Sequence, residues 1–187
     1  MKKFFGVIFA LLLVTNSAAA ADEQYLNGDK NYIYCGASMG AGYFVDRNSY
    51  SVEKYNPPYY VISVDIVEVG HYFDDWGTKI HRRRNLRFMY DYSTRKVYIY
   101  MPYADARQSM RRRYESQYKS QSKKIDNSID WNSDWACLIP DVYYGEGTGH
   151  WGDAAEITFA LAYNLKFSGD KSYEKYYHLI GGVKDSL

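Results

Sequence analysis

The stretch Tyr59–Val69, with the sequence YYVISVDIVEV, decides the fold more clearly than any other part of the chain. Every second side chain from Tyr60 to Ile66 is apolar, and Ser63 and Asp65 lie between them. A period of two is typical of a β-strand that buries one face. The stretch therefore predicts a half-buried strand within a sheet.

A hairpin is predicted directly after this strand. Residues 86–92 alternate apolar and polar side chains, and residues 96–101 do the same after the short connection Ser93–Arg95. Two such runs joined by a tight turn are typical of antiparallel pairing. Shorter extended segments are predicted at residues 31–35, 43–46, 49–55 and 136–139.

Helical patterns come later in the chain. Asp153 and Glu156 have the spacing of a capping box, which predicts a helix over 154–167, and a shorter helix is predicted over 173–180. Residues 104–124 combine a narrow apolar stripe with seven basic and two acidic side chains, and they are predicted to form a basic helical segment. Strands first and helices later predict an α+β fold, in which a C-terminal helix packs on an antiparallel sheet.

The composition is that of a folded globular protein. Of the 187 residues 47% are hydrophobic and 24% are charged, with a formal net charge of +1. These values argue against disordered, collagen-like and coiled-coil chains. A nearly neutral chain has no general attraction to nucleic acid, so no nucleic-acid partner is predicted. The unusual feature is tyrosine, with 22 residues.

The first 21 residues have the pattern of a secretory signal peptide. Lys2 and Lys3 precede an apolar run from Phe4 to Val14, and small residues follow up to Ala21. A membrane anchor is the alternative, but the run is about half of the ~20 residues that a spanning helix needs. The sequence therefore predicts an exported chain that does not span a membrane, located in the periplasm, at the cell surface or outside. Residues 22–187 are predicted to form a single domain.

The mature chain has two cysteines, Cys35 and Cys137. An even number of cysteines in an exported protein predicts a disulfide between them. A loop of this length would stabilise the fold by ~4.7 kcal/mol in the chain-entropy model. Two buried thiols without a bridge are the alternative.

No enzyme signature emerges from the sequence. Gly147, Gly149 and Gly152 match G-x-G-x-x-G, but Trp151 would crowd a phosphate and the acidic residue of a dinucleotide site is missing. Four side chains of types that can bind a metal lie close together in the sequence, but their spacing matches no known ligand pattern. They are His71, Asp74, Asp75 and His81. No catalytic residue, metal site or cofactor is predicted.

Two arginine triplets and a neighbouring aromatic group are the candidate binding residues. Clustered cations attract acidic partners, and aromatic rings contact proteins and stack on sugars. A solvated charged face is the alternative for either triplet. The candidates are Tyr72, Trp76, Arg82, Arg83, Arg84, Arg111, Arg112 and Arg113, and the predicted partner is a protein or a glycan.

Several short motifs resemble those of surface-adhesin protein E–like exported proteins. Tyr43–Asp46 followed by Ser49–Val52 is similar to the Y-V-D-x-x-S-I motif, and Trp135–Pro140 is similar to W-x-x-I-x-P. The strand-turn-strand of residues 88–98 follows in the same order. The resemblance covers roughly residues 30–165 and extends to small uncharacterised bacterial exported proteins. It implies a small antiparallel sheet with a C-terminal helix, in an envelope protein that binds host proteins.

These observations favour a non-enzymatic, adhesin-like binding protein of the bacterial cell envelope. A periplasmic structural or assembly module that binds another envelope component is the second hypothesis. A hydrolase of an envelope polymer is the third.

Overall fold

The computed structural model describes residues 24–38, 40–70, 79–102, 134–139 and 149–185. Their strands form one eight-stranded sheet in which all neighbours are antiparallel. The order is β1-β2-β3-β5-β6-β7-β8, and β4 pairs with β5 in line with β3. The strands are β1 (Tyr25–Leu26), β2 (Asp29–Ser38), β3 (Ala41–Asp46), β4 (Ser51–Asn56), β5 (Tyr59–Gly70), β6 (Ile80–Asp91), β7 (Lys96–Pro102) and β8 (Asp134–Ile139).

Strand β5, which the sequence predicted as a strand, lies at the centre of the sheet. It pairs with β6 along nearly its whole length, with Ile62 opposite Phe88 and Tyr60 opposite Tyr90. The prediction that β5 buries only one face is wrong, because Val61 and Val67 on the other face are also at most 1% exposed. Val67 belongs to a second apolar cluster on that face, separate from the main core.

Two helices complete the α+β fold. Helix α1 (Gly149–Tyr163) packs against β2, β3 and β5, and a short 3₁₀ turn leads into α2 (Glu174–Ile180). The buried Tyr90 hydroxyl donates to the carbonyl of Ala155 at 2.8 Å, which joins α1 to the sheet. The α+β prediction is confirmed.

The start of α1 corrects the predicted capping box. The helix begins at Gly149, so Asp153 and Glu156 lie inside it rather than at its first turn. Both Glu156 oxygens accept backbone N–H groups, from Phe167 at 2.7 Å and from Ser168 at 3.0 Å. The carboxylate therefore holds the chain that follows α1 and does not cap the start of the helix.

The structure also corrects the predicted Cys35–Cys137 disulfide. Cys35 is a free, fully buried thiol whose Sγ donates to the carbonyl of Tyr43 at 3.3 Å. Five strand-to-strand steps separate β2 from β8 along the sheet, roughly 24 Å at ~4.8 Å per step. A disulfide requires Cα atoms about 4.4–6.8 Å apart, so these two strand positions are poorly placed for a bridge.

Some predictions fall on residues that the structure does not describe. These are the signal peptide of residues 1–21 and the basic helical segment of residues 104–124. Within the described ranges, no helix has the length and apolar character needed to cross a membrane.

Candidate functional site

One row of residues crosses four strands at the end of the sheet where β5 finishes and β6 starts. Gly36 of β2 lies opposite Tyr43 of β3, Tyr43 lies opposite Glu68 of β5, and Glu68 lies opposite Arg82 of β6. Side chains of directly opposed residues project from the same face of a sheet. Arg84, two residues further along β6, projects from that face as well.

The N-terminal turn of α1 adds two rings to this row. The His150 ring stacks on Tyr43 with centroids 4.5 Å apart and planes 12° apart. The Trp151 ring lies 4.3 Å from His150 and 5.5 Å from Tyr43. All three residues are only partly buried, so the rings form an aromatic platform that solvent reaches.

Gly36 allows the helix to approach the sheet this closely. A Cβ atom at this position would lie 2.8 Å from the His150 Cβ, which is closer than real Cβ contacts come. Its φ of +137° is also unfavourable for any residue with a side chain. The platform therefore depends on a glycine in the neighbouring strand.

Two polar side chains beside the platform are incompletely paired. The closest approach between Arg84 and Glu68 joins Nη2 and Oε2 at 3.7 Å, longer than a hydrogen bond. Glu68 Oε2 and Arg84 Nε are buried atoms without a hydrogen-bond partner in the described part of the chain. Such atoms are uncommon in folded proteins because each forfeits its interaction with water. The Glu68–Arg84 pair is therefore only loosely held within the fold.

Burial sets the protonation states of the two neighbouring rings. Burial lowers the pKa of His150 to about 4, so the imidazole is neutral at pH 7. Burial, followed by the nearby Glu68 carboxylate, raises the pKa of Tyr43, so the phenol keeps its proton. The formal charges around the platform at pH 7 are therefore those of Arg82, Arg84 and Glu68. The platform and these charged residues together make up the Tyr43 site, which consists of Tyr43, Glu68, Arg82, Arg84, His150 and Trp151.

The predicted binding residues divide into three groups. Arg82 and Arg84 belong to the Tyr43 site. Arg83 points to the opposite face, where its Nη1 contacts Asp46 at 2.6 Å and Asp65 at 3.2 Å. These contacts raise its pKa, and they identify Arg83 as a structural residue. Tyr72, Trp76, Arg111, Arg112 and Arg113 lie outside the described residues.

Sequence reasoning missed four members of the site: Tyr43, Glu68, His150 and Trp151. The row Tyr43–Glu68–Arg82 depends on the register between strands, which the sequence pattern does not specify. A helix start at Gly149 would have placed the His150–Trp151 pair on the first turn of α1. The predicted start at 154 left both residues in a loop.

The two acidic residues of α1 make a structural network rather than an open site. Glu156 is 2% exposed, and besides two backbone donors it accepts the Tyr177 hydroxyl at 2.5 Å. Asp153 accepts the hydroxyl of Tyr176. Burial raises the pKa of both carboxyls. Among the described residues, no group of three His, Cys, Asp or Glu side chains is arranged to hold a metal ion.

Comparison of the chain with protein families, with curated proteins and with solved structures finds no match. The resemblance to surface-adhesin protein E–like proteins therefore stays a prediction. The geometry of the Tyr43 site and the sequence patterns are the remaining guides to function.

Proposed function

We propose that the protein is an exported, non-enzymatic, adhesin-like binding protein of the bacterial cell envelope, and that it contacts a protein or a glycan through the Tyr43 site. The observation that supports this proposal is the partly exposed aromatic platform beside an arginine pair at one end of the sheet. Aromatic rings and arginines are the side chains that binding surfaces favour.

The state of the polar groups supports binding at this end. Arg83 makes three hydrogen bonds within the fold, to Asp46, Asp65 and the Tyr32 hydroxyl. Arg84 has only a distant carboxylate neighbour among the described residues. A guanidinium with unused donors, next to partly exposed rings, is suited to a partner that brings an acceptor.

A binding test uses one matched pair of variants. Tyr43→Ala removes the platform ring that the sheet contributes, and Tyr55→Ala removes the ring of a 63% exposed tyrosine in β4 as the control. The purified proteins are passed over a panel of immobilised extracellular-matrix proteins and glycans. We expect Tyr43→Ala to weaken the binding of a panel member by about tenfold or more, and Tyr55→Ala to leave it unchanged. Equal binding by Tyr43→Ala and the unmodified protein would rule out the site.

A second experiment tests the location. Intact producing cells are treated with a protease, and the protein is compared with a periplasmic control on a blot. Loss of the protein while the control persists supports surface exposure. Protection of both proteins until the envelope is broken would contradict the adhesin function and favour the periplasmic module.

A further inference from the structure

We infer that the Tyr43 site, if it acts as proposed above, binds a carboxylated sugar, of the kind found in polyuronates and other acidic glycans. This ligand class combines three chemical features: an apolar ring face, hydroxyl groups and a carboxylate. The site offers a complementary group for each of them.

The platform matches the apolar face of a sugar ring. Tyr43 and His150 are parallel and stacked on each other, with 12° between their planes, so each leaves its outer face to the surroundings, and Trp151 is tilted by 52° to His150. Aromatic rings favour contact with C–H groups across their faces because the ring faces carry partial negative charge. The neutral state of His150 at pH 7 preserves this character at the centre of the platform.

Arg84 and Arg82 match the carboxylate. Arg84 is 38% exposed in its side chain and its nearest carboxylate is 3.7 Å away, so its guanidinium can turn a pair of N–H groups toward an anion. Planar pairs of N–H donors fit the two oxygens of a carboxylate. Arg82 is exposed and projects from the same face, two residues from Arg84. The two arginines and Glu68 together carry a formal charge of +1.

Glu68 matches the hydroxyl groups and distinguishes a sugar from an acidic peptide. Its side chain is 25% exposed and lies opposite Tyr43 in the adjacent strand. An acidic peptide would place several carboxylates in succession beside this negative charge, whereas a uronate ring presents several hydroxyl donors around one carboxylate. A sugar hydroxyl can donate to the Glu68 carboxylate.

The experiment measures binding of the purified chain, as processed by its producing cell, to two polyuronate probes. The probes are oligogalacturonate and hyaluronan oligosaccharides, and the matched uncharged probe is methyl-esterified oligogalacturonate. We expect at least one acid probe to bind about tenfold or more tightly than the ester. We expect Arg84→Gln to remove that preference.

Arg87→Gln is the matched control for Arg84→Gln. Arg87 lies three residues further along β6 on the opposite face, and its side chain is 35% exposed against 38% for Arg84. The Arg87→Gln protein should bind the acid probes as tightly as the unmodified protein does. Thermal unfolding of each variant confirms that it is folded.

The outcomes separate the two proposals. Equal binding of the acid and the ester, or acid binding unchanged by Arg84→Gln, would overturn the carboxylate assignment. Absence of binding to both acid probes, while Tyr43→Ala still abolishes capture of a defined matrix protein, would overturn the sugar assignment and leave the binding function in place. Binding of all ligands without any effect of Tyr43→Ala would overturn both.

Discussion

Two carboxylates near α1 show how differently the fold treats its polar groups. Glu156 is 2% exposed, and its oxygens accept hydrogen bonds from Phe167, Ser168 and Tyr177 at 2.5–3.0 Å. Glu68 lies at the margin of the core, and its Oε2 has no such partner among the described residues. Burial with complete pairing is the mark of a structural group. Incomplete pairing at the margin of the core, next to partly exposed rings, is consistent with a binding surface.

The aromatic rings at the two ends of α1 differ in the same way. Phe159 lies within the main core, with ring centroids of Tyr60, Tyr90 and Phe167 at 5.0–5.4 Å. Its neighbours enclose it almost completely, and it is 1% exposed. The platform rings at the start of α1 contact one another on one side and keep the other side partly open. The same residue types therefore stabilise one end of the helix and form a surface at the other.

Removal of the Glu156 side chain should have the largest effect on stability. Glu156→Ala leaves the N–H groups of Phe167 and Ser168 and the hydroxyl of Tyr177 without their acceptor. We expect the free energy of unfolding to fall by about 3 kcal/mol or more. Urea unfolding measures this change. Glu156→Gln, which keeps one acceptor oxygen, should lose less of the free energy of unfolding. A Glu156→Ala protein as stable as the unmodified one would contradict the structural role of Glu156.

Substitution of Gly36 should have the next largest effect. Gly36→Ala places a Cβ 2.8 Å from the His150 Cβ at a φ of +137°, so α1 must move away from β2. We expect a loss of about 2 kcal/mol in the free energy of unfolding. The loss should be accompanied by weaker contact between His150 and Tyr43, seen as a change in near-ultraviolet circular dichroism.

Gly152→Ala is the control for Gly36→Ala. A Cβ at Gly152 would meet only the Tyr173 hydroxyl, at an ordinary 3.5 Å, inside helix α1. Because alanine favours helix, we expect this variant to match the unmodified protein or to gain up to about 1 kcal/mol. Similar losses from both substitutions would show that close approach of α1 at Gly36 is not what matters.

The pH dependence of stability should reveal the buried imidazole. Burial holds the pKa of His150 at about 4 in the fold, below its ordinary value of 6.5. Between these values the unfolded chain binds more protons, so His150 makes stability rise with pH and lowers it as pH falls toward 4. The raised pKa values of Asp153 and Glu156 act in the opposite direction, since protonation of either carboxyl favours the folded state.

The variant His150→Phe separates these contributions. It keeps an aromatic ring on Tyr43 and removes the titrating group. We expect the melting temperature of the unmodified protein to rise, relative to that of the variant, by a few degrees between pH 4 and pH 6.5. Scanning calorimetry at several pH values measures the difference. A difference that stays constant over this range would contradict the burial of a neutral imidazole.

The central strands of the sheet could be predicted from the sequence because their apolar residues recur with a clear period of two. Residues 59–69 were predicted, and β5 extends over Tyr59–Gly70. The predicted hairpin is formed by β6 and β7. The first half of β6 was missed because Arg82–Arg84 resemble a charged loop, although alternation in a strand divides this triplet between two faces. Long-range register, which brings Tyr43 beside Glu68, has no signal in a single sequence.

Substitutions in the arginine triplet should have the smallest effects on stability, and they distinguish a structural arginine from a binding arginine. Arg83 bonds to Asp46 and Asp65 with a side chain 42% exposed, so Arg83→Gln should lower the free energy of unfolding by about 1 kcal/mol, a value limited by solvent screening. Arg84 has only the 3.7 Å approach to Glu68, so Arg84→Gln should change the free energy of unfolding by less than about 0.5 kcal/mol.

Ligand binding should show the reverse order. Arg84→Gln should weaken binding of an acidic probe, and Arg83→Gln should leave it unchanged because its guanidinium lies on the other face of β6. Urea unfolding and titration with oligogalacturonate on the same two proteins give both quantities. If the more destabilising substitution were also the one that weakens binding, the loss of binding would follow from loss of fold, and the division between structural and binding arginines would be wrong.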